Sequence, residues 1–291
     1  MIDGHTKMYC LIGSPVGHSG SPAMYNYSFD RLGINAAYLA YDVPLEKTGE
    51  AVAALKLLGC GGFNVTMPCK TEVTKYLDRL SPACELIGAS NCVVVEEDGT
   101  LTGHNTDGLG FVANLRVHGV DVKGAKMVIL GAGGAGGAGT AVTMQSAVDG
   151  ASEIHIFNRR GYTFYPNAEL TVKKITEKIP GYKASVTDLA DKEALAEAVK
   201  NCDILVNATK VGMAPLDKET LIDRSLFRAD LVVADTVYNP KETRMILEAK
   251  AAGVKAAIGG IGMLLRQGVE GFRLYTGKEM PADEVMDRFF A

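Results

Sequence analysis

A glycine run set between a strand and a helix constrains this chain more than any other feature. The segment Val128-Ile-Leu-Gly131-Ala-Gly133-Gly-Ala-Gly136 reads G-x-G-x-x-G. It follows a short, mostly apolar strand expected over Lys126–Leu130 and precedes a helix expected to run through about Val148. In that setting the first glycine permits a tight turn. The second lets the backbone approach a pyrophosphate, the third allows close helix–strand packing, and the helix N-terminus faces the phosphates. The stretch from Met127 to Val148 carries no charge and is long enough to span a bilayer. Its six glycines between Gly131 and Gly139 make a poor lipid-facing helix and a good backbone turn. A glycine-rich turn without a ligand is the competing reading, and the strand–loop–helix context favours a dinucleotide cradle.

Strands and helices alternate around this loop. Glu153–Phe157, Lys183–Val186, Ile204–Asn207, Leu231–Asp235 and Lys255–Ile258 read as strands. Ala168–Lys178, Glu193–Lys200 and Lys241–Ala252 read as helices between them. That alternation predicts a parallel, doubly wound Rossmann-type sheet. The N-terminal part shows a second α/β series, with strands at Met8–Ile12, Ala37–Val43 and Gly62–Met67. Its helices are expected from Ser21-Pro22, with Ser21 as N-cap, over Leu45–Leu58, ended by Gly59, and over Pro68–Leu77. Asn91–Val95 and Thr100–Thr102 flank Asp98-Gly99 as a hairpin. Asp107–His118 reads as a helix between the two series, and the tail from Gly262 reads as helical. The chain is therefore expected to form a smaller α/β domain over residues 1–107, completed by returning C-terminal helices at 263–291, and a dinucleotide-binding domain over 108–262.

Composition limits the partners. At 291 residues the chain has room for about two domains. Lys+Arg 30 against Asp+Glu 34 gives a net charge of -4, which argues against binding a nucleic-acid backbone. The six cysteines form no C-x-x-C pair and the five histidines are scattered. Neither a zinc finger nor a disulfide scaffold fits, whereas free thiols in a reducing cytoplasm do. The first residues, Met-Ile-Asp-Gly-His-Thr-Lys, lack the apolar core of a signal peptide. The expectation is a cytoplasmic protein with no membrane partner.

The strand after the glycine loop ends Asn158-Arg159-Arg160. An NAD-specific fold usually places a carboxylate here for the ribose 2′-hydroxyl. Two guanidiniums suit a 2′-phosphate instead. Surface arginines that simply follow a strand are the bland alternative. The N-terminal series carries four polar clusters at strand ends or the loops after them: Ser19-Gly-Ser21-Pro22, Asn64-Val-Thr66-Met-Pro68-Cys-Lys70, Ser90-Asn91, and Asn105-Thr106-Asp107-Gly108. Ligands of open α/β sheets bind at the carboxyl ends of strands. Hydroxyls, an amide, an amine and a carboxylate suit a small polyhydroxylated acid.

These motifs together resemble the shikimate dehydrogenase family, and more closely its quinate/shikimate dehydrogenase branch. The matching segments are Gly13-Ser-Pro15-Val-Gly-His-Ser19-Gly-Ser21-Pro22, Asn64 to Lys70, Asn105 to Gly108, Gly131-Ala-Gly-Gly134, Asn207-Ala-Thr209, Val237-Tyr-Asn-Pro240 and Gly262-Met-Leu-Leu-Arg-Gln267. They span nearly the whole chain in the family's order. The resemblance implies reversible oxidation of the ring C3 hydroxyl of shikimate, or the equivalent hydroxyl of quinate, by NADP or NAD. The setting would be aromatic amino acid biosynthesis or quinate metabolism. It implies that Ser19 and Ser21 hold the substrate carboxylate, that Asn91, Thr106 and Gln267 contact ring hydroxyls, and that Tyr38 and Thr66 also line the substrate. It places Lys70 and Asp107 as the catalytic pair. For the cofactor it implies Gly131, Ala132, Gly133, Gly134, Ala135, Gly136, Asn158, Arg159, Arg160, Thr209, Lys210, Val237, Tyr238 and Gly260. A homodimer is compatible with it. Two departures stand out: Ala89-Ser90-Asn91-Cys92 replaces the usual Ala-Val-Asn-Thr, and Gly161 replaces an Asp found after Asn-Arg-Arg in close relatives. The second shifts the expectation towards NADP.

Oxidation of an alcohol needs a hydride acceptor and a group to take the hydroxyl proton. A nicotinamide supplies the first, and no metal is needed if a side chain supplies the second. Lys70 is assigned the proton, with Asp107 orienting it; a coupled pair can share the role. Each residue alone has a plain structural explanation: Ser21 or Asp107 as a helix cap, Lys70 as a solvated helix residue. His18 and His104 are alternative acid/base groups. Competing functions are dehydrogenation of a related cyclic acid such as aminoshikimate, a methylenetetrahydrofolate dehydrogenase, and a nucleotide-binding regulator without turnover. The paired serines favour a small carboxylate over a pterin.

Overall fold

The computed structural model describes residues 2–132 and 137–290. The chain divides into two compact units, residues 1–106 with 265–291, and residues 107–264.

The first unit opens with β1 (Lys7–Gly13), α1 (Ser21–Arg31), β2 (Ala36–Asp42), α2 (Thr48–Leu57) and β3 (Gly62–Val65). These are βαβ crossovers, so β1 pairs in parallel with both β2 and β3. A short β4 (Arg79–Leu80) and α3 (Pro82–Ile87) follow, then β5 (Cys92–Val95) and β6 (Leu101–His104). The β5–β6 pair is the hairpin expected around Asp98-Gly99, with Val95 opposite Leu101. The result is a six-stranded mixed sheet in the order β2-β1-β3-β5-β6-β4. Side chains alternate across β1, as the period of two requires. Cys10 and Ile12 join Val52, Leu55, Phe63 and Val65 on one face. Tyr9 and Leu11 join Met24, Tyr25 and Phe29 on the other.

The second unit starts with α4 (Asp107–Val117) and continues β7 (Lys126–Leu130), α5 (Ala138–Val148), β8 (Glu153–Asn158), α6 (Tyr165–Lys178), β9 (Lys183–Asp188), α7 (Lys192–Lys200), β10 (Ile204–Asn207), β11 (Val232–Asp235), α8 (Arg244–Ala252) and β12 (Ala256–Ile258). All pairings are parallel, in the order β12-β11-β10-β7-β8-β9. The order reverses between β7 and β10, the switch point at which open α/β sheets bind ligands. The core strands are apolar on both faces, as helices on either side demand. Val128, Leu130, Leu205 and Val233 pack with Leu195, Val199 and Met245.

The tail forms α9 (Ile261–Thr276) and α10 (Ala282–Phe289), parted at Gly277 with φ +66°. From Leu265 onward it belongs to the first unit. Leu265, Phe272, Met280 and Val285 complete the cluster around Tyr25 and Phe29.

As expected, the uncharged stretch from Met127 to Val148 holds β7 and α5; no helix among the described residues is long and apolar enough to cross a membrane. Two expectations need correction. Residues 68–77 do not form an α-helix. Turns lead into a 3-10 segment at Glu72–Tyr76, because the Lys70 carbonyl accepts the Ser90 amide at 2.8 Å instead of continuing a helical ladder. Ser21 is not the N-cap of α1; Gly20 is, and no side chain caps that helix. The same Ser-Pro signature works at Ser81-Pro82, where Ser81 Oγ accepts the Cys84 amide and begins α3.

Candidate active site

In the first unit the polar side chains gather where β1, β3, β5 and β6 end or begin. Ser19 and Ser21 follow β1 and are both half-buried. Ser19 Oγ accepts the Ser21 amide at 3.2 Å. The Ser21 side chain makes no capping bond. Thr66 leaves β3 with its amide donating to the Ile12 carbonyl at 2.9 Å. Lys70 lies one turn on and is half-buried.

A buried relay of amides crosses the sheet beside them. Tyr38 Oη donates to Asn64 Oδ1 at 2.8 Å, and Asn64 Nδ2 donates to the Asn91 carbonyl at 3.1 Å. Asn91 Nδ2 donates to Thr106 Oγ1 at 2.9 Å and lies 3.4 Å from Gln267 Oε1 on α9. Asn91 Oδ1 in turn accepts the Thr106 amide at 2.7 Å. Asn64 and Asn91 are each held in one orientation: a flipped Asn64 would set acceptor against the Asn91 carbonyl, and a flipped Asn91 would set donor against the Thr106 amide. Tyr38 has no exposed surface, and the Tyr25 ring stacks on it at 4.4 Å. Burial pushes its phenol pKa well up, so it remains a donor. The Tyr38 hydroxyl thus reaches the cluster through Asn64. Asn64, noted above only as the start of a motif, links Tyr38 to the Asn91 backbone. The sequence signal was an amide inside a strand otherwise built from Gly, Phe and Val.

The histidine alternatives fall outside this arrangement. His18 is exposed. His104 is half-buried, and desolvation holds its pKa below the usual value; its carbonyl serves Asn91 and Ser90.

In the second unit Asp107 is the first residue of α4 and is buried. The residues expected to hold the nucleotide lie at or after the carboxyl ends of β7, β8, β10, β11 and β12. Gly133, Gly134, Ala135 and Gly136 lie outside the described residues. Gly131 has φ +86°, a conformation that side chains resist. A Cβ there would also lie 2.5 Å from Thr209 Cγ2. The close helix–loop approach is at Gly139, where a Cβ would collide with the Gly131 carbonyl. At Gly260 a Cβ would lie 2.6 Å from the carbonyls of both Thr236 and Val237. The loops after β7 and β10 therefore approach without room for a side chain at Gly131, and those after β11 and β12 do so at Gly260, as a backbone cradle for a pyrophosphate requires.

Asn158 does not face outward. Its Nδ2 donates to the Ala132 carbonyl at 2.6 Å and its Oδ1 accepts the Arg159 amide at 3.1 Å, tying the end of β8 to the loop after β7. Arg159 and Arg160 are exposed. Arg159 lies over the Tyr162 ring at 4.8 Å, and Arg160 bonds Tyr165 Oη at 3.3 Å. Lys210 is exposed, Val237 is buried, and Tyr238 is 38% exposed.

One buried network here is built on Asn207, Asp235 and Thr243, for which no role was expected, and reaches Thr209 and Val237, for which one was. Asn207 and Asp235 end adjacent strands in register. Asn207 Nδ2 donates to Asp235 Oδ1 at 3.0 Å and to the Val211 carbonyl at 2.9 Å. Asn207 Oδ1 accepts the Thr209 amide at 3.1 Å and the Thr209 hydroxyl at 2.7 Å. Asp235 Oδ1 accepts the Val237 amide at 2.9 Å, and Oδ2 accepts the Thr243 hydroxyl at 2.7 Å. Burial raises the Asp235 pKa to about 6 despite these donors. A carboxylate closing the apolar run Leu231–Asp235 was the available signal.

The chain is similar to known proteins along nearly its whole length. Residues 11–93 match the shikimate dehydrogenase substrate binding domain and residues 260–288 the shikimate 5'-dehydrogenase C-terminal domain. A shikimate dehydrogenase (NADP(+)) from Streptococcus uberis is 47% identical, covering 99% of this chain and 97% of that protein. A shikimate 5-dehydrogenase from Listeria monocytogenes, solved in complex with shikimate and NAD, is 44% identical over 99% of this chain and 98% of its own, with a TM-score of 0.93. A quinate dehydrogenase from Corynebacterium glutamicum in complex with NAD is 28% identical over 97% and 98%, with a TM-score of 0.85. Full-length identity at this level, on a chain whose glycine cradle and strand-end amides were already in place, assigns the protein to the shikimate dehydrogenase family of NAD(P)-dependent oxidoreductases.

Proposed function

We propose that this enzyme interconverts shikimate and 3-dehydroshikimate, using NADP at least as well as NAD, and that quinate and 3-dehydroquinate are handled by the same residues. The observation that carries this reading is the buried relay Tyr38–Asn64–Asn91–Thr106, in the same unit as the paired serines. Oriented amides and hydroxyls together with two serines suit a ring that bears several hydroxyls and one carboxylate.

Ser19 and Ser21 bind the carboxylate, and Asn64, Asn91, Thr106 and Gln267 read the ring hydroxyls. Tyr38 holds Asn64 in the orientation that reading requires. Lys70 takes the C3 hydroxyl proton during oxidation and returns it during reduction, with Asp107 as its orienting partner. The glycine cradle at Gly131, with Thr209, Lys210, Val237, Tyr238 and Gly260, holds the dinucleotide, and Asn158 fixes the loop on which it rests. The nicotinamide, when bound, accepts the hydride from C3. Arg159 and Arg160 supply a cationic site for a 2′-phosphate, and no carboxylate in Asn158-Arg159-Arg160-Gly161 opposes it.

The free, buried cysteines suit a reducing cytoplasm. The partner is a small-molecule substrate, and a homodimer is the assembly to test by light scattering. The function is tested by initial rates of nicotinamide reduction with shikimate, quinate and aminoshikimate, each with NADP and NAD. Turnover of shikimate is expected. Turnover of aminoshikimate alone would replace this reading with the related-acid alternative, and no turnover with any pair would favour a regulator.

A further inference from the structure

We propose that Asp235 is a positioning residue for the dinucleotide, acting through Asn207 and Thr243 to set the spacing of the loops that follow β7, β10 and β11. The inference rests on the reading of those loops as the cofactor site.

The geometry carries it. Asn207 and Asp235 sit side by side at the last positions of β10 and β11. From there the two side chains bond both of the loops that leave these strands. Asn207 Oδ1 fixes the amide and hydroxyl of Thr209, and its Nδ2 fixes the Val211 carbonyl. Thr209 Oγ1 then accepts the Val211 amide at 3.1 Å, closing the turn. Asp235 fixes the Val237 amide directly. The Val237 carbonyl accepts the Gly260 amide at 3.2 Å, which extends the frame to the loop after β12. The Thr209 methyl borders Gly131. Thr243, the N-cap of α8, anchors the other carboxylate oxygen.

A purely structural explanation fits poorly. Asn207, Asp235 and Thr243 are all nearly fully buried. A buried carboxylate held only by neutral donors is a costly way to close two strands that pair through their backbones. The donors are the Thr243 hydroxyl, the Asn207 amide and the backbone amides of Val237 and Thr236. What the carboxylate adds is two acceptor oxygens in a fixed plane, aimed at three segments whose backbones must stand at set distances from one another. A cradle displaced by a fraction of an ångström loses its hydrogen bonds to a bound phosphate, because those bonds weaken steeply with distance and angle.

The test is Asn207→Asp. When protonated, the introduced carboxyl donates to Asp235 as the amide did. When ionised, it faces Asp235 as a like charge. The ratio of the variant's NADP Kd to that of the wild type should therefore rise about tenfold or more between about pH 6.5 and pH 8.5, by isothermal titration. The KM for shikimate should stay within about twofold of wild type. The reversible pH change within one folded sample separates positioning from misfolding. Asp235→Asn is the second variant, since it keeps the shape but halves the acceptor set; its NADP Kd should rise several-fold, again without a change in shikimate KM. A pH-independent Kd ratio in the first variant, or equal losses for shikimate and NADP in both, would overturn the inference. Wild-type protein that binds neither nucleotide would instead overturn the dinucleotide reading beneath it.

Discussion

Ser19 Oγ accepts the backbone amide of Ser21 at 3.2 Å, so the first of the two serines shapes the loop while the second side chain makes no bond at the start of α1. Their roles divide accordingly. Ser21→Ala should leave stability within about 0.5 kcal/mol of wild type, because no cap is lost. It should raise the KM for shikimate and quinate alike by about tenfold, the worth of ~1.5 kcal/mol for one hydrogen bond to a charged group. Thermal unfolding and steady-state kinetics on one preparation check both parts. A lowered melting temperature with unchanged KM would return Ser21 to a structural role.

Lys70 lies in an irregular turn whose carbonyl is anchored by the Ser90 amide, so its backbone is held independently of its side chain. Lys70→Ala should therefore fold normally and lose about 10²-fold or more in kcat, with a smaller change in KM. A folded variant with wild-type kcat would remove Lys70 from the mechanism.

Arg159 is exposed and rests on the Tyr162 ring at 4.8 Å, which holds the guanidinium in place beside the cradle. Arg159→Ala should raise the KM for NADP by roughly ten- to a hundredfold and leave NAD almost untouched. Equal losses for both cofactors would contradict the 2′-phosphate assignment.

The buried Asp235 carboxyl sets a pH dependence of stability. Its folded-state pKa, raised to about 6 from an ordinary value of 3.8, means that the native state holds the proton more tightly than the unfolded chain. Stability therefore falls as pH rises through the window from about 4 to about 6, by on the order of 3 kcal/mol. Asp235→Asn removes that term. Urea denaturation should show the variant gaining on wild type between about pH 4 and pH 7, even as its NADP affinity drops. A stability difference that does not change with pH would contradict the buried, ionising carboxyl.

Much of this molecule was legible from its residues. Strands β7 and β10 were read to the residue, because short apolar runs ended by Gly131 and Asn207 leave little choice. Residues 68–77 misled because their helical pattern is overridden by a distant partner, Ser90, which takes the Lys70 carbonyl; no local rule contains that contact. Ser21-Pro22 and Ser81-Pro82 read alike, yet Ser81 is the N-cap of its helix whereas Ser21 lies one position inside its own, after Gly20. The substrate-side residues were visible through family resemblance. Asn64 and Asn207 stood in the matching segments with no role assigned, and Asp235 and Thr243 carried none either, because a polar residue at a strand end looks the same whether it faces solvent or ties loops together.

The central claim is a hydride transfer from C3 of shikimate to the nicotinamide of NADP. Shikimate carrying deuterium at C3 should therefore yield, in the presence of NADP and the wild-type enzyme, a reduced cofactor heavier by a single deuterium when analysed by mass spectrometry. Reduced cofactor of ordinary mass, or no reduced cofactor at all, would contradict the account.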